Sequence, residues 1–398
     1  MRYLRWQQIQ PLTVSIANTG ERMPDFATPT AWDTWIRQRD WELRGRTDQA
    51  IEDLISGWIT FGTSFTAQPV LASRKDAVTT AGGLTPISGA RVQDFIKALD
   101  TRDDERWRDV LQFLSRQRVT EEELPAFLGG ILRRSALDHA SAASIPELPP
   151  LLNDFAISET LRALKSSAAM PARVHRIALI APALDFYGGP DGYDFYPLQT
   201  IQPFAILEAV QRLDVARASD VQLTAIDMNP FVLSHLRAIG AKLRTGHYVL
   251  QLPLNTAAGW NAEAMAYWSR FGDLIGAPAD AMTLPPGLHH VNMRAIAIKP
   301  QAGAHISVND LDIVAQAVES APGQAFDIVV ALKLAEYDRI EQSLALASIA
   351  QMMNPGAILL VSGVSPLSIP PELEKLGSRR IVYSERGLGI EVTSYRRR

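Results

Sequence analysis

Residues 176–227 decide how this chain is read. RIALIAP (Arg176–Pro182) is a short apolar run, apolar residues then recur at helical spacing from Pro203 to Leu213, and VQLTAID (Val221–Asp227) is a second run that ends on a carboxylate. Runs of this length predict strands buried on both faces, and strands separated by amphipathic helices predict a parallel sheet covered on both sides. Beyond them, Pro230 to Leu243 predicts a helix, followed by an insertion with a helix around Ala262 to Ile275 and a loop rich in Pro and Gly. The pattern then predicts a strand at Val291 to Ile298, a helix at Val308 to Ser320, a strand at Phe326 to Ala331, a helix at Ile340 to Met353 and a strand at Ala357 to Val361. Two last extended segments, Arg379 to Ser384 and Ile390 to Tyr395, flank the turn Glu385-Arg386-Gly387, so an antiparallel hairpin is expected to close the sheet.

Toward the N-terminus the composition changes near residue 170. Trp32, Trp35 and Ile36, then Ile51, Leu54, Ile55, Trp58 and Ile59, then Trp107, Val110, Leu111 and Leu114 recur at helical spacing. Thr30, with Asp33 three residues on, reads as the cap of the first clear helix. The Pro-rich stretch Ile145 to Leu152 and one more helical segment lead to a boundary, so two domains are expected: an α-helical one over 1–170 and an α/β one over 171–398.

Composition excludes several classes. With 39 Lys and Arg against 43 Asp and Glu, the net charge of −4 gives no positive field to gather nucleic acid. The absence of cysteine removes disulfides, thiolate metal sites and cysteine nucleophiles. The seven histidines include the neighbours His289 and His290, which point to opposite faces of an extended chain, and no HExxH spacing occurs, so no metal is expected. Gly62-Thr63-Ser64-Phe65-Thr66 lacks the last glycine of a hydrolase elbow, and neither a P-loop nor GxGxxG is found. The first ten residues carry no signal-peptide core, and the longest apolar runs fall far short of the roughly 18 residues that span a bilayer, so a cytoplasmic protein without membrane contact is expected.

Doubly wound sheets bind ligands beyond the carboxyl ends of their strands. The residues there are the glycine-bearing loop Asp185 to Gly192, Asp227, the step Asn309-Asp310-Leu311, and Lys333 to Tyr337. Together with FDIVVAL, NPGAILLVSG and the terminal hairpin, these resemble the class I S-adenosylmethionine-dependent methyltransferases over about residues 171 to 398. The resemblance implies a Rossmann-like sheet of seven strands and S-adenosylmethionine as cofactor. It implies that Asp185, Gly188, Gly189 and Gly192 pass the methionine part, that Asp227 holds the ribose, and that Asp310 with Leu311 faces adenine. The first loop departs from the family pattern: its first glycine stands three residues after Asp185, and it runs on through Tyr193 to Pro197.

Each reading has a plainer rival. The GGPDG stretch also reads as a turn, Asp227 with Asn229 as a helix cap, and Asp310 as a cap. Methyl transfer needs alignment more than a nucleophile, so Tyr193, Tyr196, Glu336 and Tyr337 are candidates for a base or positioning group. The expected activity is methyl transfer to a small-molecule acceptor, with the helical half shaping its pocket, and a homo-oligomer is compatible with the sequence. The alternatives are a binding or regulatory protein that keeps the fold without the cofactor, and a different reaction in the same crevice.

Overall fold

The computed structural model describes residues 2–18, 25–44, 47–61, 70–73, 79–80, 83–84, 86–99, 105–139, 150–182, 193–196, 199–245, 248–254, 259–284, 292–319, 324–365 and 369–398. Its centre is a seven-stranded sheet built from β1 (Arg176–Ile180), β2 (Gln222–Asp227), β3 (Ile306–Asp310), β4 (Phe326–Ala331), β5 (Met353–Val361), β6 (Leu373–Val382) and β7 (Gly389–Arg397), in the spatial order β3-β2-β1-β4-β5-β7-β6. The pairs β3–β2, β2–β1, β1–β4 and β4–β5 are parallel, and β7 runs antiparallel to both β5 and β6.

Successive side chains of a strand point to opposite faces, and here both faces are apolar. Ile177 and Leu179 of β1, Ile328 and Val330 of β4, and Ile358 and Leu360 of β5 belong to one core. Ala178 and Ile180, Val329 and Ala331, and Leu359 and Val361 belong to the other. The first core is covered by α7 (Pro150–Ser166), α8 (Gln202–Arg212) and α9 (Pro230–Thr245). On the other face the chain after β4 supplies a single helix, α11 (Arg339–Met352), whose first turn is capped by Asp338 accepting from the Glu341 amide at 2.8 Å.

The rest of that face is covered from the far end of the chain. None of the described residues between β3 and β4, or between β5 and β6, is helical. The N-terminal helices α1 (Trp6–Asn18) and α2 (Pro29–Arg44) take those places: Ile9, Trp32 and Ile36 share a core with Leu311, Ile313, Val314, Leu344 and Leu359. Trp32 is fully buried, and its indole N–H donates to the Leu4 carbonyl at 2.8 Å. Arg2–Tyr3 adds a short antiparallel pairing with Gln316–Ala317.

Three local expectations are corrected. The predicted helix Val308 to Ser320 is instead the end of β3 followed by turns. The spacing of Val308, Leu311 and Val314 imitates a helix, but the Asp312 carboxylate accepts from the Val314 amide at 3.0 Å and Gln316 Oε1 accepts from the Asp312 amide at 2.9 Å, so side chains replace helical bonding. The predicted strand Val291 to Ile298 does form, as Met293–Ile298, but it is the middle strand of a separate antiparallel sheet between Tyr248–Pro253 and Gly276–Ala279. The cap of α2 is Thr28, whose hydroxyl accepts from the Ala31 amide at 3.2 Å, with Pro29 in the first helical position rather than Thr30 as cap.

One buried carboxylate ties the insertion to α8, and the Asn261 amide ties it to the end of β6 by donating to the Tyr383 carbonyl at 2.7 Å. Glu208 of α8 accepts from the amides of Gly272 and Leu274 and pairs with Arg212, fixing the turn that follows the helix α10 (Ala262–Arg270). A third core joins α3 (Asp48–Phe61), α4 (Pro86–Leu99), α5 (Glu105–Gln117) and α6 (Leu124–His139) around Trp58, Phe95, Trp107 and Phe113.

Because α1 and α2 stand where crossover helices are missing, residues 1–44 are expected to be indispensable to the sheet. Their deletion should yield aggregated protein through exposure of a large apolar face. In the full chain, Trp32→Ala should lower the unfolding free energy by about 3–5 kcal/mol, read from denaturant unfolding.

Candidate functional site

The carboxyl ends of the parallel strands lie side by side, and their acids come together through register alone. β2 ends on Asp227 and β3 on Asp310, which are direct partners across the ladder, and the Leu311 amide donates to the Asp227 carbonyl at 3.0 Å. At the neighbouring tip of β1, the Ala181 amide donates to the Ile226 carbonyl at 2.8 Å. Ala181 has φ +50°, a left-handed conformation that is strained for a residue with a Cβ and that turns the chain sharply out of the sheet.

Asp227 Oδ1 accepts from the Asn229 amide at 2.8 Å, and Asn229 Oδ1 in turn accepts from the Phe231 amide at 3.0 Å to cap α9. The cap is thus made by Asn229, and Asp227 holds the turn that places it. Burial pushes the Asp227 carboxyl up to about 6; the amides of Asn229 and Met228 and the nearby Lys333 act in the opposite direction, and Asp310 adds to the rise. Lys333, just beyond the tip of β4, brings a cation within electrostatic reach of this carboxylate.

Two arginines of α2 reach the same edge, and sequence reasoning missed both because more than 260 residues separate them from their partners. Arg39 pairs with Asp312 at 2.5 Å and with Glu341 at 2.6 Å, and its guanidinium lies 5.2 Å from the centre of the Trp35 ring. Arg44 pairs with Asp310 at 3.0 Å and with Asp40 of its own helix at 3.0 Å. Tyr337 is half-buried among these groups. Burial, then Asp312 and Asp227, push its hydroxyl up to about 12, so at neutral pH the phenol is a hydrogen-bond donor.

The remaining predicted residues fall in different places. Leu311 is buried in the second core, with its backbone at the crevice edge. Glu336 is exposed in the short turn Leu334–Glu336. Tyr193 and Tyr196 are the ends of a strand that pairs antiparallel with Val70–Ser73, joining the segment after the first loop to the N-terminal half. Asp185, Gly188, Gly189 and Gly192 lie outside the described residues. Gln199 is committed to structure: its amide makes a reciprocal pair with the backbone of Gln251, and the adjacent Thr200 amide donates to the Tyr248 hydroxyl at 2.9 Å.

On the β2 side, the start of α9 meets the helical part. Phe231 packs edge-on to Trp58 at 6.0 Å, and a Cβ at Gly57 of α3 would stand 2.0 Å from the Phe231 ring, so this contact requires glycine. On the other flank, Gly363 beyond β5 has φ +64°, and a Cβ there would come within 2.7 Å of the Ala335 Cβ. Among the described residues there is no cluster of His, Asp and Glu suited to a metal ion and no helix long and apolar enough to cross a membrane.

No protein-family model matches the chain. No curated protein matches it either. Similar solved structures include the N-methyltransferase NodS from Bradyrhizobium japonicum WM9, at 14% identity over 62% of this chain and 97% of that one, with a TM-score of 0.30. Magnesium protoporphyrin IX methyltransferase from Synechocystis PCC 6803 is 7% identical over 61% of this chain and 79% of that one, with a TM-score of 0.31. A TehB-like methyltransferase from Corynebacterium glutamicum is 10% identical over 69% of this chain and all of that one, with a TM-score of 0.28.

The raised Asp227 carboxyl carries a stability signature. Between about pH 4 and about 6 the unfolded chain has released this proton while the folded chain holds it, so stability falls as pH rises and the full penalty is present above about 6. Asp227→Asn should therefore melt higher than wild type at pH 7.5 and match it near pH 4, read by thermal unfolding at both pH values. The order β3-β2-β1-β4-β5-β7-β6 with β7 alone reversed is that of the class I methyltransferase-like fold, and this chain has that fold.

Proposed function

We propose that this protein transfers a methyl group from S-adenosylmethionine to a small-molecule acceptor, and that the helical N-terminal part shapes the acceptor pocket. The observation that carries the proposal is the half-buried carboxylate at the tip of β2, beside the mouth of β1, in a sheet of this strand order. A carboxylate there suits a ribose diol: one oxygen of Asp227 is engaged by the Asn229 amide, and the group as a whole can accept further hydrogen bonds.

When bound, S-adenosylmethionine supplies an activated methyl group, whose bond to sulfur breaks as the bond to the acceptor forms. The chain then has to align the acceptor, exclude water and take any proton the acceptor loses. Tyr337 is suited to hold an acceptor as a donor, because its hydroxyl stays protonated. Lys333 adds a cation at the same edge, which favours an acceptor or cofactor group that carries negative charge. The contacts of α3 with α9, and of Val70–Ser73 with Tyr193–Tyr196, put the helical part beside this crevice, which supports its role in enclosing the acceptor.

Calorimetric titration with S-adenosylhomocysteine should give saturable heat. Asp227→Ala should weaken binding by about 1.5–3 kcal/mol, the value of a hydrogen bond to a charged group. Binding to the wild type should also weaken as pH falls through about 6, where Asp227 takes up its proton. No heat with wild-type protein would remove the cofactor from this reading, and unchanged affinity in Asp227→Ala would remove Asp227 from the site.

A further inference from the structure

Where the sheet borrows its cover from the N-terminus, α1 and α11 enclose a cavity of about 510 Å³, a size that holds small organic ligands. Its walls are largely apolar: Leu12 of α1, Ala347 and Ala350 of α11, and Ile369 and Pro370 of the chain leading into β6. Most of its polar lining is already engaged within the fold. The side-chain amides of Gln8 and Gln351 are bonded to each other, and Ser343 Oγ donates to the Arg339 carbonyl at 2.9 Å. Arg397 differs. It is half-buried in β7, its Nη1 donates to the Met353 carbonyl, and among the described residues no carboxylate pairs with it, in contrast to Arg39 and Arg44. Glu372, the other charged residue of the lining, is exposed and forms no ion pair with this guanidinium. Met353 begins β5, so the unpaired cation lies at the amino end of the parallel strands, whereas Asp227 and Asp310 stand at the carboxyl ends.

The geometry points to a second ligand site, for a monocarboxylate with an apolar chain: the chain lies between α1 and α11, and the carboxylate meets the guanidinium of Arg397. The bond from Nη1 to the Met353 carbonyl holds the guanidinium in place, and its remaining N–H groups form a fork that matches two carboxylate oxygens. A half-buried cation without a counter-ion favours an anion over a neutral head group and repels a second cation. The apolar walls favour a hydrocarbon body over water. Because α1 is both a wall of the cavity and part of the sheet's cover, a ligand here stabilises the folded chain by mass action. The site is separate from the crevice proposed for methyl transfer and does not depend on that reading.

The test titrates the full chain at pH 7.5 with octanoate, octanol and octylamine, which share a chain and differ in head group, each below its micelle-forming concentration. Octanoate is expected to raise the melting temperature and to bind about tenfold or more tightly than octanol, with octylamine weakest. In Arg397→Gln, octanoate should fall to within about threefold of octanol, with octanol bound as by wild type. Ala347→Leu fills the cavity with a side chain that suits a helix and should abolish binding of all three. Asp227→Ala should bind octanoate as wild type does. No octanoate binding by wild type, no preference for it over octanol, or a preference kept in Arg397→Gln would overturn the inference. So would loss of binding in Asp227→Ala, which would move the ligand to the strand-tip crevice. Should Arg397→Gln fail to fold, Ala347→Leu decides: octanoate binding lost there supports the site, and binding retained there overturns it. Self-association that Ala347→Leu abolishes, without octanoate binding to wild type, would assign the cavity to a second copy of the chain and overturn the inference.

Discussion

A parallel sheet that is apolar on both faces has to be covered on both, and in this protein that requirement reaches across the whole chain. One face receives α7, α8 and α9. The other has only α11 from the local sequence, since no described residue of the β3–β4 or β5–β6 connection is helical. Leaving that surface in water would cost about 25 cal/mol for each Å² of apolar area, a large sum against the few kcal/mol by which folded domains are stable. Helices α1 and α2 occupy the vacant places, and Trp32 and Ile36 become as much part of the sheet's core as Leu359.

The same docking determines the electrostatics of the strand tips. Parallel pairing of β2 with β3 brings Asp227 and Asp310 together, an arrangement that desolvation and mutual repulsion both oppose. A helix laid along that edge delivers Arg39 to Asp312 and Glu341, and Arg44 to Asp310. Half-buried pairs of this kind are worth more than exposed ones because solvent screens them less, and here they tie α2 to the end of β3 and to the first turn of α11. Among the described residues no arginine pairs with Asp227, and burial raises the proton affinity of its carboxyl. One helix, α2, thus shares in covering the sheet and also brings cations to the strand-tip acids.

Six of the seven strands of the sheet were legible because their chemistry is local, whereas β3 (Ile306–Asp310) overlaps a segment whose spacing reads as a helix. RIALI, FDIVVA and GAILLV are too short for helices and too apolar for exposed strands, and the hairpin after β5 announces itself by the Glu385-Arg386-Gly387 turn. Asp227 was legible for the same reason, since a carboxylate that closes an apolar strand must lie at a sheet edge. The apolar run at Met293–Ile298 was equally visible as a strand, but a strand carries no label for its partner, and it pairs within the insertion. The segment after Asp310 has helical spacing and no helix, because Asp312 and Gln316 supply hydrogen bonds that stop one.

Periodicity can be read along the chain, and with it the class of fold, the C-terminal hairpin and the acid that ends the second strand. Tertiary structure alone decided which helices cover the second face and which cations meet the strand-tip acids. The physical reason is that burial and ion pairing depend on distance in space and not on separation along the chain. Arg44 and Asp310 lie 3.0 Å apart in the fold, yet nothing in their sequence neighbourhoods refers one to the other.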